Sequence, residues 1–268
     1  MFYNARNGNI NIGNTDMDYI SFGSGKKNLI IIPGLGDALK TVKGTAVTFA
    51  LSYKLFAKDY TVFIFSRKNH LEKGYSTKEM AADQATALEK LNISKAYVLG
   101  ISQGGMIAQF LAADYPALVE KLVLAVTLSR PNDTLRGVVS NWIALANKND
   151  YKSILIDTAE KTYSEKRLKA YRPWYSLLSK LSRPKSLNRF IIQANACLNH
   201  NAYSEISEIH CPTLVIGGDN DKIVGVSAAQ ETAQKIPGSK LKIYNGLGHG
   251  AYEEARDFNH LVLDFLNA

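Results

Sequence analysis

Four consecutive aliphatic residues, Leu29-Ile30-Ile31-Ile32, leave no polar position to face water. A strand of this kind belongs inside a sheet covered by helices on both faces. Short apolar blocks recur at residues 28–32, 61–65, 96–100, 121–125, 213–217 and 240–244, separated by longer stretches with helical spacing. That alternation predicts a mainly parallel sheet, because parallel neighbours need a long crossover and a helix is the usual one. Ahead of these blocks, residues 9–12 and 17–22 flank the turn-forming Gly13-Asn14-Thr15 and predict an antiparallel hairpin.

Met80, Ala81, Gln84, Leu88 and Leu91 fall three or four apart after Ser76-Thr77, which predicts a helix over 77–91. Helices are also predicted over 103–114 and 227–236, stopped by Pro116 and Pro237, and over 254–266. The rhythm breaks between about residues 128 and 209, where the chain is helix-rich, aromatic and basic with no convincing strand. The expected organisation is a core domain of residues 1–127 and 210–268 interrupted by a helical insertion, 128–209.

Composition narrows the class. Of the 268 residues, 46% are hydrophobic and 21% charged, the balance of a soluble globular chain. No apolar run approaches the ~18 residues of a membrane-spanning helix, and the first residues lack the apolar core of a secretory signal. Cys197 and Cys211 stand in no paired or metal-binding spacing, so a reduced, cytoplasmic setting is expected. The net charge of +8 is concentrated: residues 160–189 hold nine basic residues against Glu160 and Glu165, a net of +7. No nucleic-acid motif accompanies them, so no nucleic-acid partner is expected. The segment reads as a solvated helical face, a rim for an anionic substrate, or a docking face for an acidic partner or lipid headgroups.

The chemistry centres on Gly100-Ile101-Ser102-Gln103-Gly104, which sits between an apolar strand and an apolar helix. This G-x-S-x-G pattern in a strand–turn–helix context predicts a nucleophile elbow, with Ser102 held clear of the sheet by a strained backbone that only glycine neighbours permit. A serine hydroxyl needs a base, and the base needs an orienting acid. His249, in the glycine-rich Gly246-Leu247-Gly248-His249-Gly250 after a strand, is the candidate base. His70 stands beside Arg67-Lys68-Asn69, which reads as a solvated loop, and surface or helical placement is expected for His200, His210 and His260. For the acid, Asp219 and Asp221 compete at the end of the strand over 213–217. Sequence position does not separate them, although Asp221 precedes the anchoring pair Ile223-Val224. Backbone N–H groups at Leu35, in Pro33-Gly34-Leu35-Gly36-Asp37, and at Gln103 are the expected oxyanion donors. No metal-ligand pattern or phosphate-binding glycine loop occurs, so no cofactor is expected.

These segments, together with Cys211-Pro212-Thr213-Leu214-Val215-Ile216-Gly217-Gly218-Asp219-Asn220-Asp221, resemble the α/β-hydrolase superfamily over nearly the whole chain. The resemblance implies an α/β fold with an eight-stranded, mainly parallel sheet and helices on both faces. It favours Asp221 as the acid and makes residues 128–209 similar to a helical cap. Pro33 and Ile101 stand where many relatives carry histidine. The implied activity is hydrolysis of a carboxylic ester or related acyl bond of a small molecule by Ser102, His249 and Asp221. A carbon–carbon hydrolase, lactonase or thioesterase, or a ligand-binding protein with little turnover, would fit the same residues. Ile101, Trp142, Tyr163, Tyr171 and Trp174 are the expected pocket residues, and an anionic substrate is expected if the basic segment rims the pocket.

Overall fold

A computed structural model describes residues 2–268. Its eight strands are β1 (Arg6–Ile12), β2 (Thr15–Gly23), β3 (Lys27–Ile32), β4 (Tyr60–Phe65), β5 (Ala96–Ile101), β6 (Val119–Ala125), β7 (Thr213–Gly218) and β8 (Lys240–Tyr244). They form one sheet in the order β1-β2-β4-β3-β5-β6-β7-β8. The β1–β2 and β2–β4 pairs are antiparallel and the remainder parallel. Leu29, Ile30, Ile31 and Ile32 are all buried, alternating between the cores on the two faces of the sheet. Their lack of any polar face is thus explained by double coverage.

The helices are α1 (Ala46–Ser52), α2 (Thr77–Lys90), α3 (Gln103–Asp114), α4 (Asp133–Asn147), α5 (Tyr151–Thr162), α6 (Glu165–Tyr171), α7 (Tyr175–Leu181), α8 (Asn188–Leu198), α9 (Ala228–Lys235), α10 (Ala251–Glu254) and α11 (Phe258–Asn267). Ser76 and Glu79 close a capping box at the start of α2, each side chain taking the other's backbone N–H. The helix expected over 254–266 is instead two: Ala255 is extended at φ −75°, ψ 117°, and separates α10 from α11. The short α1 has no strong sequence signal. Between β6 and β7 the chain runs through α4–α8 without a strand. Apolar faces of α4, α5 and α8 meet Ala38, Met106 and Ile223 in a third core above the C-terminal ends of the strands.

Candidate active site

Ser102 stands between β5 and α3 with φ 54° and ψ −118°. A positive φ is costly for a residue with a Cβ, about 1–3 kcal/mol, and persists only where the surroundings fix it. Here the Ser102 N–H donates to the Ala125 carbonyl at 2.9 Å, and Thr127 donates its hydroxyl to the Ser102 carbonyl at 2.8 Å. The flanking glycines are required by crowding: a Cβ on Gly104 would lie 1.9 Å from the Ile32 carbonyl oxygen, and one on Gly100 2.6 Å from that of Gly104.

The loop after β8 brings His249 to this corner. Its Nε2 is 2.8 Å from Ser102 Oγ, and its Nδ1 is 2.8 Å from Asp221 Oδ2. The other carboxylate oxygen of Asp221 accepts the backbone N–H groups of Ile223 and Val224 at 2.8 and 3.0 Å, so the acid is fixed by the pair that follows it. Asp221 and His249 are both buried. Asp219 is exposed and closes its turn by accepting the Gly246 N–H at 2.7 Å, which separates the two candidate acids. The Gly250 N–H donates to the Thr162 carbonyl at 2.7 Å, tying the histidine loop to the end of α5.

Leu35 opens a short 3₁₀ turn, Leu35–Ala38, and Gln103 opens α3. First-turn N–H groups have no acceptor inside their own element and are available to an oxyanion. Gly34 packs against the serine, since a Cβ there would lie 3.3 Å from Ser102 Cβ.

Beneath these donors lies a buried charged cluster that the sequence did not disclose. Arg67, expected in a solvated loop, is 1% exposed. Its Nη2 donates to the Pro33 carbonyl at 2.5 Å and to Gln103 Oε1 at 2.8 Å, joining the two segments that carry the proposed donors. Asp37 Oδ2 accepts the Arg67 N–H at 3.0 Å and Arg189 Nη2 at 2.9 Å, so α8 is pinned to the same turn. Gln103 Nε2 completes the link by donating to the Gln193 carbonyl at 2.9 Å. Burial lowers the Arg67 guanidinium to about 10, with Asp37 opposing the shift. Burial likewise pushes the Cys197 thiol up to about 12, which keeps it protonated. A buried arginine has no local signature; only the strand end at Phe65 hinted that this loop faces the site.

Ser102 and His249 open onto a cavity of about 850 Å³. Ile101, Met106, Leu135, Val139, Trp142 and Phe190 are among its apolar walls, and Tyr163 joins them from the end of α5. Two expected pocket residues do not contribute. Tyr171 lies behind Tyr163, ring centroids 5.3 Å apart, with its hydroxyl taken by Arg167. Trp174 points outward and is 58% exposed. At the cavity wall Arg167 is paired with Glu253 at 2.9 Å. His200, for which surface or helical placement was expected, is buried just after α8 between Thr77 Oγ1 at 2.9 Å and Gln109 Oε1 at 3.4 Å. His70, His210 and His260 are exposed.

With this geometry in view, the chain belongs to the alpha/beta hydrolase fold family, whose profile matches residues 27–255. At that level it is a hydrolase. It is 28% identical over 279 residues to a 2-hydroxy-6-oxononadienedioate/2-hydroxy-6-oxononatrienedioate hydrolase of Pseudomonas putida, covering 99% of this chain and 95% of that one. The fold also matches MGS-M2, an alpha/beta hydrolase from a Medee basin deep-sea metagenome library, with a TM-score of 0.87, 21% identity and coverage of 97% and 98%. It matches the enol-lactonase of Burkholderia xenovorans LB400 with a TM-score of 0.83, 18% identity and coverage of 97% and 100%.

Proposed function

We propose that the protein is a serine hydrolase that cleaves carboxylic esters, or closely related acyl bonds, of small molecules with an uncharged, apolar acyl group. The reading rests on one observation: Ser102 Oγ, His249 Nε2, His249 Nδ1 and Asp221 Oδ2 form a continuous hydrogen-bonded line opening on an apolar cavity. In this scheme His249 Nε2 takes the hydroxyl proton as Ser102 Oγ attacks the carbonyl carbon. Asp221 holds the imidazole in the required tautomer and stabilises its cation. The oxyanion is stabilised by the N–H groups of Leu35 and Gln103, each such donor typically worth about 3 kcal/mol of barrier. His249 then returns the proton to the leaving oxygen, and water, activated the same way, releases the acid from Ser102. Helices α4–α8 act as the cap that shapes the acyl site.

The preference for a neutral acyl group follows from the fate of the nearby cations. Arg67 and Arg189 are engaged by Asp37 and by backbone carbonyls, and Arg167 at the cavity wall by Glu253. Lys40, the other lining cation, makes no ion pair among the described residues but is exposed to solvent. Turnover of p-nitrophenyl esters of rising chain length is the test. Wild-type activity that peaks with an uncharged acyl chain and disappears in Ser102→Ala supports the reading; equal rates in both proteins refute it.

A second reading, hydrolysis of a carbon–carbon bond in a dicarboxylate, is favoured by the relative that spans 99% of the chain. It would require Arg167 to exchange Glu253 for a substrate carboxylate. Preferential turnover of a 2-hydroxy-6-oxo-dienedioate, with activity falling steeply as salt is raised, would select it.

A further inference from the structure

Trp174, which is not a pocket residue, belongs to an outward-facing apolar stripe. Trp174, Leu177, Leu178 and Leu181 are 58%, 48%, 38% and 75% exposed, and they repeat at the spacing of one helical face. The helix itself is firmly seated. Tyr175 and Ser179 form its buried side, Tyr175 donates its hydroxyl to Glu160 of α5 at 3.0 Å, and Ser182 Oγ lies 2.8 Å from the Tyr151 hydroxyl. The exposed leucines are therefore the outer face of a docked helix.

The segment that carries this stripe is cationic. Residues 166–189 contain eight lysines and arginines and no aspartate or glutamate. Arg167, Arg172 and Arg189 are paired with Glu253, with Glu160 and Glu165, and with Asp37. Lys166, Lys169, Lys180, Arg183 and Lys185 are exposed and make no ion pair among the described residues.

We propose that the α7 face docks on an anionic lipid surface, with Trp174, Leu177 and Leu181 inserted at the headgroup–acyl boundary and the five free cations over the headgroups. Four side chains cannot furnish the roughly 800 Å² per partner of a stable protein interface. Shallow insertion of a short apolar face, reinforced by about fivefold in affinity per basic residue near an anionic membrane, is enough for lipid. A second copy of the chain would bring two cationic faces together. The binding is independent of the catalytic assignment and is read without turnover.

The test uses the full chain and vesicles of phosphatidylcholine with or without phosphatidylserine. The prediction is co-sedimentation with the anionic vesicles, at least tenfold weaker with phosphatidylcholine alone and reduced by added salt. A blue shift of tryptophan emission should accompany it, because Trp174 is exposed whereas Trp142 is buried. Leu177→Ser with Leu181→Ser, and separately Lys180→Glu with Arg183→Glu and Lys185→Glu, should each weaken binding at least tenfold with the urea unfolding midpoint unchanged. No binding to anionic vesicles at low ionic strength overturns the proposal. So does binding that the leucine substitutions leave intact, or an acidic protein that occupies the stripe while vesicles do not. The emission shift, measured on the wild type, decides the matter even if a variant fails to fold.

Discussion

Ser102 carries a positive φ because three chemical demands meet at one residue: its hydroxyl must face His249, its N–H must reach Ala125, and α3 must begin at the next position. Removing the hydroxyl should lower kcat on a p-nitrophenyl ester by about 10⁴-fold or more, while leaving the fold and substrate binding in place. Asp221→Asn should lower it by a similar ~10⁴-fold, because an amide favours the wrong imidazole tautomer; a loss below tenfold would return the role of acid to another group. Sequence position does not separate Asp221 from Asp219, and only the family resemblance favours it. Ser102 and His249 each carry a local mark in the sequence, glycines on both sides of Ser102 and glycines around His249. Arg67 carries none. Its burial depends on Asp37, Pro33 and Gln103, and their proximity arises only when β3, β4 and β5 pair. Arg67→Met should cost about 2 kcal/mol in urea unfolding, since it takes the buried donor from the Pro33 carbonyl and Gln103 Oε1 while Arg189 still faces Asp37. An unchanged midpoint would mean that the cluster stabilises nothing.

At the scale of elements, the elbow is a close crossing of β3, β5 and α3. Gly104 is where α3 touches the end of β3, and any Cβ there meets backbone. Gly104→Ala should therefore destabilise the protein by about 3 kcal/mol, through forced backbone displacement at an overpacked contact. Gly137→Ala, with open space around the position, serves as its control and should leave the melting temperature unchanged or raised. Strands with unbroken apolar runs and helices with caps and proline stops were readable to within a residue or two. The exception was the final helical pattern. Its apolar spacing runs through Ala255, but the chain extends there between α10, which follows His249, and α11, whose Phe258, Val262 and Leu266 fill the core. Periodicity reports which face is apolar and is silent about a break forced by the site next door.

The whole molecule is a sheet domain with a helical layer over the C-terminal strand ends, and His200 stands at the seam between them. It follows α8 on the return toward the sheet and is held by Thr77 of α2 and Gln109 of α3. Burial pushes its imidazole down to about 3, so it stays neutral in the fold while the unfolded chain takes a proton near 6.5. Between those values the unfolded state binds the extra proton, so the His200 contribution to stability falls as pH drops below 6.5, while Asp83, raised to about 6 by burial, contributes in the opposite sense. The loss should reach about 2 kcal/mol at pH 5 relative to pH 7.5, and His200→Gln should remove that component. Urea midpoints of the wild type and of His200→Gln across this range check the sign; a wild type that loses no more stability on acidification than the variant would contradict it.

Every step of the proposed chemistry depends on Ser102 being the group that His249 activates. Incubation with a fluorophosphonate followed by peptide mapping tests this directly. A single adduct on the peptide that contains Ser102, absent from Ser102→Ala and strongly slowed in His249→Ala, is the expected result. A folded protein that takes no label, or takes it on another residue, would contradict it.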